Sequence, residues 1–178
     1  GVPLLVSAGA LVGHKDHETL VASMSLVRRS LPTARLAIAG EGELRPQIEA
    51  RIAELGLGDC ITLLGHRKDA PRLIRAADVY VSSSWSEGLG TSILEALACR
   101  TPVVATLAGG ADEMVKPGET GYLVPNRNPG ALAEAVVASL GNRSQSRAMA
   151  ENGRRLIEEQ FVTERMVEGT LRVYESVL

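Results

Sequence analysis

Ser82-Ser83-Ser84-Trp85-Ser86-Glu87-Gly88-Leu89-Gly90-Thr91-Ser92-Ile93-Leu94-Glu95-Ala96-Leu97-Ala98-Cys99 is the stretch from which the rest of the chain can be read. Just before it, Asp78-Val79-Tyr80-Val81 is a short apolar run with the character of a buried strand. Within it, Ile93, Leu94, Leu97 and Ala98 recur at helical spacing. Ser83–Gly90 is then a small-residue loop carrying Glu87 and two glycines between a strand and a helix. Such a junction is an anion site in waiting, because unpaired N–H groups and the positive end of the helix dipole converge at the loop mouth. Two carboxylates bracket it, Glu87 in the loop and Glu95 about one turn into the helix, with seven residues between them.

Working outward, apolar strands and amphipathic helices alternate. Strands are expected from Leu4 to near Gly9, over Arg35–Ala39, Cys60–Leu64, Asp78–Val81, Val103–Ala105 and Gly121–Val124. Helices are expected from an Asp16 cap to about Ser30, from about Leu44 to Leu55, as a short helix reaching Ala77, and after the central loop. Three more are expected at about 129–140, 144–158 and 162–177. The strands are continuous apolar runs rather than alternating ones, which marks a parallel sheet covered on both faces. The fold class is therefore α/β, a Rossmann-like parallel sheet of about six strands, in a single domain over residues 1–178. Ligands of such sheets bind beyond the carboxyl ends of the strands. The loops Gly9–Lys15, Gly40–Glu43, Gly65–Asp69, Ser83–Gly90 and Thr106–Gly110 should all lie on that edge.

Composition narrows the function. A chain of 178 residues that is 45% apolar can bury a full core, and a net charge of −2 offers no basic field for nucleic acid. The longest apolar runs are strand-length, so no transmembrane segment is expected. Cys60 and Cys99 lack metal-ligand spacing and read as buried reduced thiols, which fits a cytoplasmic protein. No signal peptide is read at the start, and a chain without an initiator Met that begins almost on a strand is expected to be a piece of a longer protein.

Glu87-Gly88-Leu89-Gly90-Thr91-Ser92-Ile93-Leu94-Glu95-Ala96-Leu97-Ala98-Cys99, followed by Thr101-Pro102-Val103-Val104-Ala105-Thr106, resembles the signature of retaining GT-B glycosyltransferases, more narrowly the large group called family four. The resemblance covers the chain from end to end and is to the C-terminal, donor-binding lobe. It implies a nucleotide-diphospho-sugar as donor substrate, no bound metal or other cofactor, and an N-terminal, acceptor-binding domain preceding residue 1. The acceptor itself is left unknown. No Asp-x-Asp triplet occurs, in keeping with metal independence. The implied protein is cytoplasmic, with any attachment to the membrane periphery made through the missing domain.

The resemblance also assigns residues. Lys15 matches the lysine that holds the donor diphosphate, whereas Ala10 stands where the family commonly has an arginine. Losing that arginine removes a bidentate phosphate fork that lysine does not replicate. Glu87 is placed against the donor sugar's hydroxyls, with Lys15 the other catalytic candidate. Gly88, Leu89 and Gly90 would present N–H groups to sugar and phosphate, and Thr91 and Ser92 would add helix N-terminal donors. Glu95 would take the ribose hydroxyls, and Arg67 lies where the nucleotide base is usually seated.

Each residue also has a plainer reading. Lys15 can be a solvated surface lysine and Glu87 a solvated loop carboxylate. Ser92-Ile93-Leu94-Glu95 fits a capping box, unless the helix is capped at Gly90 or Thr91. Arg67 can stack on a base or simply be solvated. His14, His17 and His66 are surface or packing residues rather than a metal cluster. Gly109-Gly110 with Glu113 is a helix start after a tight turn, without catalytic role. Arg100 replaces a helix-ending glycine, which implies a different cap or local strain. Two other functions compete. One is a non-catalytic nucleotide-sugar-binding module of the same fold, prompted by Ala10. The other is a Rossmann dehydrogenase, whose Gly-x-Gly-x-x-Gly run fails here because the first loop has only Gly9 and Gly13.

Overall fold

The computed structural model of the protein describes residues 1–177. A parallel sheet of six strands, β1 (Leu4–Ala8), β2 (Arg35–Ala39), β3 (Ile61–Gly65), β4 (Val79–Ser82), β5 (Val103–Thr106) and β6 (Tyr122–Val124), runs in the order β3-β2-β1-β4-β5-β6. Helices α1 (His17–Ser30), α2 (Arg45–Glu54), α3 (Ala70–Ala76), α4 (Thr91–Ala98), α5 (Ala111–Met114), α6 (Pro129–Gly141), α7 (Arg143–Gln160) and α8 (Thr163–Val177) make the connections.

Successive strand residues feed opposite faces, as the pleat requires. Leu5, Val79, Val81 and Val104 pack with Leu20 and Met24 of α1, Ile48 of α2, and Leu132 and Val136 of α6. Val6, Tyr80, Val103 and Ala105 pack with Ile74 of α3, Ile93 and Leu97 of α4, and Met114 of α5. Both layers are needed because neither strand face can be left wet, each such side chain contributing ~1.5–3 kcal/mol when buried. Asp16 caps α1 as expected, its Oδ1 accepting from the Thr19 N–H at 3.2 Å.

The boundaries move by a residue or two. The third strand begins at Ile61 rather than Cys60 and includes Gly65, and the sixth begins at Tyr122. The 3-10 turn Gly13–Lys15 was not expected as an element, whereas α5 is the helix start expected after Gly109-Gly110. Both cysteines are free, but only Cys60 is buried, Cys99 being half-buried. Helix α8 buries none of its residues, and Met166, Val167, Leu171, Val173 and Tyr174 lie exposed along it. Among the described residues no helix is long and apolar enough to cross a membrane.

Candidate functional site

The strand order reverses direction between β1 and β4, so the loops after these strands diverge and open a crevice at the carboxyl edge. The loop after β1 closes in the 3-10 turn Gly13–Lys15, and Asp16 then adopts a left-handed conformation (φ 48°, ψ 51°) to start α1. That turn brings Lys15 across the crevice. Its Nζ donates to Glu87 Oε1 at 2.5 Å, and the two side chains are only 19% and 10% exposed. Ser84 Oγ donates to the same oxygen at 2.6 Å. Among the described residues Glu87 Oε2 has no protein partner and stays available to a ligand. Glu87 is thus a half-buried, doubly anchored group, which corrects the solvated-loop reading. Lys15 is likewise no solvated surface lysine.

The backbone beneath Glu87 is fixed from two sides. Ser83 Oγ donates to the Lys15 carbonyl at 2.8 Å, tying the β4 loop to the β1 loop. On the other flank, Gly109 has a φ of +53°, and a Cβ built there would overlap the Glu87 carbonyl. Only glycine combines that conformation with that approach. The expected helix start after Gly110 is real, as α5, but Gly109 also carries the seat of Glu87, a role that the sequence reading missed. Its signal was available only as a glycine pair at the end of a strand.

Helix α4 starts differently from a capping box. Its N-cap is Gly90, left-handed at φ 65° and ψ 50°, and no side chain caps it. Glu95 is therefore past the first turn of α4 and cannot reach back to a Ser92 cap, which removes the capping-box reading. Its carboxylate is exposed and, among the described residues, has no hydrogen bond or ion pair. The Gly88, Leu89, Gly90, Thr91 and Ser92 N–H groups likewise find no acceptor among those residues. Leu89 is 51% exposed beside them. A row of free donors on a loop leading into a helix N-terminus favours negative charge.

Arg67 is neither stacked nor free. Its Nε and Nη2 bind Asp69 Oδ1 and Oδ2, each at 2.8 Å. These bonds hold the Asp69 carboxyl below its usual range and push the Arg67 guanidinium up. In-plane pairing of this kind fixes the guanidinium while leaving its faces uncommitted. The sequence reading missed Asp69, although it lies two residues away. The structure therefore joins Lys15 to Glu87, while Arg67 and Glu95 stay apart from that pair, each on the ligand edge.

The histidines divide. His14 and His66 are exposed, whereas His17 is buried at the start of α1 and titrates at about 4, through burial first and the nearby Lys15 second. Among the described residues no three His, Cys, Asp or Glu side chains gather as a metal-binding group. A cavity of about 750 Å³ between α1 and α2 touches the crevice loops through Gly13 and includes neither Lys15 nor Glu87.

Known proteins share this architecture. Residues 1–156 match the family described as "Glycosyl transferases group 1". The chain is 32% identical over 168 residues, 89% of its length and 44% of the relative's, to a GDP-mannose-dependent alpha-(1-6)-phosphatidylinositol monomannoside mannosyltransferase of Mycobacterium tuberculosis. It superposes on Anabaena Alr3699/HepE in complex with UDP-glucose with a TM-score of 0.88 at 24% identity, covering 97% of this chain and 48% of the other. The C-terminal domain of a glycosyl transferase group 1 family protein, LpcC from Francisella tularensis, superposes at 0.80 with 22% identity, covering 91% of this chain and 89% of the other. The chain spans about half the length of the curated relatives it matches. With this match over most of its length and the six-stranded fold of a GT-B C-terminal domain, the chain belongs to the group 1 glycosyl transferases.

Proposed function

We propose that this chain is the donor-binding half of a retaining, metal-independent glycosyltransferase that uses a nucleotide-diphospho-sugar. The observation that carries the proposal is the Lys15–Glu87 contact at the crevice, set beside the unpaired N–H groups of Gly88 to Ser92. An ammonium and a row of amides are what a departing diphosphate needs. Transition-state charge met by preorganised donors is worth about 3 kcal/mol per donor in well-studied enzymes. In this reading Lys15 and the amides of Thr91 and Ser92 hold the diphosphate, so positive charge is supplied without a metal ion. Glu87 Oε2 takes the donor sugar's hydroxyls and supports positive charge at the anomeric carbon. Glu95, exposed and unpaired, accepts the ribose hydroxyls as a bidentate pair, and a base stacks on the face of Arg67.

The bond from anomeric carbon to diphosphate oxygen breaks while the acceptor hydroxyl attacks from the same face, and its proton passes to the departing diphosphate oxygen. The acceptor site belongs to an N-terminal domain of a longer protein. The share of each relative that this chain covers supports that arrangement, and so does the unpacked apolar side of α8. The protein works in the cytoplasm, any membrane attachment lying in the other half.

A thermal-shift screen of the chain against uridine, guanosine and adenosine diphospho-sugars tests the reading. Binding at 100 times the dissociation constant adds about 2.7 kcal/mol of stability, and Glu95→Ala should reduce it. A screen in which no donor raises the melting temperature overturns the proposal. The exposed Ala10 favours a second reading, a binding module without transfer activity. Donor binding by a full-length protein that transfers to none of a broad acceptor panel would select that alternative.

A further inference from the structure

Trp85 is the chain's one tryptophan, two residues before Glu87 and 40% exposed. It belongs to the β4 loop, yet its polar groups are spent on the other side of the crevice. The Trp85 N–H donates to the His14 carbonyl at 3.0 Å, and the indole Nε1–H donates to the Gly13 carbonyl at 3.1 Å. With Ser83 Oγ on the Lys15 carbonyl, three donors of the β4 loop meet the three consecutive carbonyls of the 3-10 turn. The turn's own bonds are the Lys15 N–H to the Val12 carbonyl at 3.1 Å and the Asp16 N–H to the Gly13 carbonyl at 3.2 Å. From outside, the Arg127 guanidinium covers the indole at 4.8 Å from the ring centroid, which restrains the side chain.

A three-residue turn ending in a left-handed aspartate is a marginal structure by itself. Lys15 can face the diphosphate only while the turn is held, because its flexible stem gives up rotamer freedom on binding. We infer that Trp85 is a positioning residue: its indole staples the Gly13–Lys15 turn to the β4 loop, so that Lys15 is already set across the crevice from the Gly88–Ser92 amides. The inference rests on the reading of Lys15 as the diphosphate-binding cation. It places the turn's rigidity in a residue of the opposite loop.

Trp85→Phe is the informative variant. It keeps an aromatic ring beside Arg127 and the backbone bond to His14, and it removes the Nε1–H together with part of the indole surface. Amide hydrogen exchange followed by NMR should accelerate about five-fold at Lys15 and Asp16, the effect of one lost neutral hydrogen bond, with exchange at Val6 and Val81 in the sheet unchanged. Calorimetry with uridine, guanosine and adenosine diphosphates and their parent nucleosides gives the second readout. The diphosphate that binds the wild type should weaken by a similar factor, and its nucleoside should not. A purely structural role would weaken both alike. Unchanged exchange at Lys15 and Asp16, or equal losses for diphosphate and nucleoside, overturns the inference. If no diphosphate binds the wild type, the donor-binding reading falls instead, and the exchange rates alone decide whether the staple exists.

Discussion

Lys15 Nζ and Glu87 Oε1 meet at 2.5 Å although 72 residues separate them, one following β1 and the other β4. The pair spans the point where the sheet changes winding direction, and both side chains are largely buried. Before any donor arrives, the ammonium is therefore neutralised by the carboxylate. In the proposed function a diphosphate competes with Glu87 for Lys15, and a sugar hydroxyl uses the Oε2 that has no partner among the described residues.

This competition gives the two residues opposite signatures. Lys15→Ala should cost a nucleoside diphosphate about 1.5–3 kcal/mol, the range for hydrogen bonds to charged groups, and leave the parent nucleoside unaffected. Glu87→Gln should not weaken the diphosphate, since it frees the ammonium, yet it should slow transfer in the full-length enzyme. Calorimetry on both variants checks this, and a matching loss of diphosphate affinity in Glu87→Gln would contradict it. Arginine in place of Ala10, at an exposed position on the same loop, should tighten the diphosphate by a similar amount.

Gly109 offers a test of how firmly the Glu87 backbone must be seated. Gly109→Ala suffers a left-handed penalty of about 1–2 kcal/mol and also pushes on the Glu87 carbonyl. Gly118→Ala is the matched control, because Gly118 has a φ of +75° with open space around its Cβ position. Both variants should melt lower, Gly109→Ala by more, and only Gly109→Ala should reduce donor binding. Equal behaviour of the two would show that the contact with Glu87 is immaterial.

Where the sequence was legible, backbone preference and burial pointed the same way. The apolar runs at Leu4, Val79 and Val103 became central strands, and Asp16 became the cap of α1. Pairings between distant side chains carry no periodicity, so Lys15 with Glu87 was invisible until topology joined β1 to β4. The α4 start was ambiguous because Gly90, Thr91 and Ser92 all suit an N-cap, and the left-handed Gly90 decided it. Arg100 shows the limit of residue preference. It occupies the same left-handed cap that glycine would, at φ 58°, with its N–H on the Leu97 carbonyl and the Thr101 N–H on the Ala96 carbonyl.

His17 makes stability depend on pH. Burial pushes its folded pKa down to about 4, below the ordinary histidine value of 6.5, so the unfolded chain binds more protons between those values. Stability therefore rises with pH through that window and is lost as pH falls from about 6.5 toward 4. Between pH 7 and pH 5 the His17 contribution should be about 2 kcal/mol. Urea midpoints at the two pH values measure it. His17→Leu should flatten this part of the dependence, and a variant with the wild-type slope would assign it to other groups.

This chain by itself should bind donor without transferring sugar. The crevice at its carboxyl edge is formed by loops of one sheet, with Lys15, Glu87 and the α4 start along it. Retaining transfer needs the acceptor hydroxyl held near the anomeric carbon, and positioning of that kind supplies ~7–11 kcal/mol of the barrier. A crevice open to solvent also leaves the leaving diphosphate wet, which weakens each contact made by Lys15 and the Gly88–Ser92 amides. Slow hydrolysis of the donor is then the most that these residues can promote. Incubating the chain with the donor that raises its melting temperature most, together with a panel of acceptors, and reading products by mass spectrometry measures both outcomes. Glycosylated acceptor formed at an ordinary enzymatic rate, about 10 per second, would mean that the described residues already contain the acceptor site and that Lys15 and Glu87 need no second half to complete the reaction.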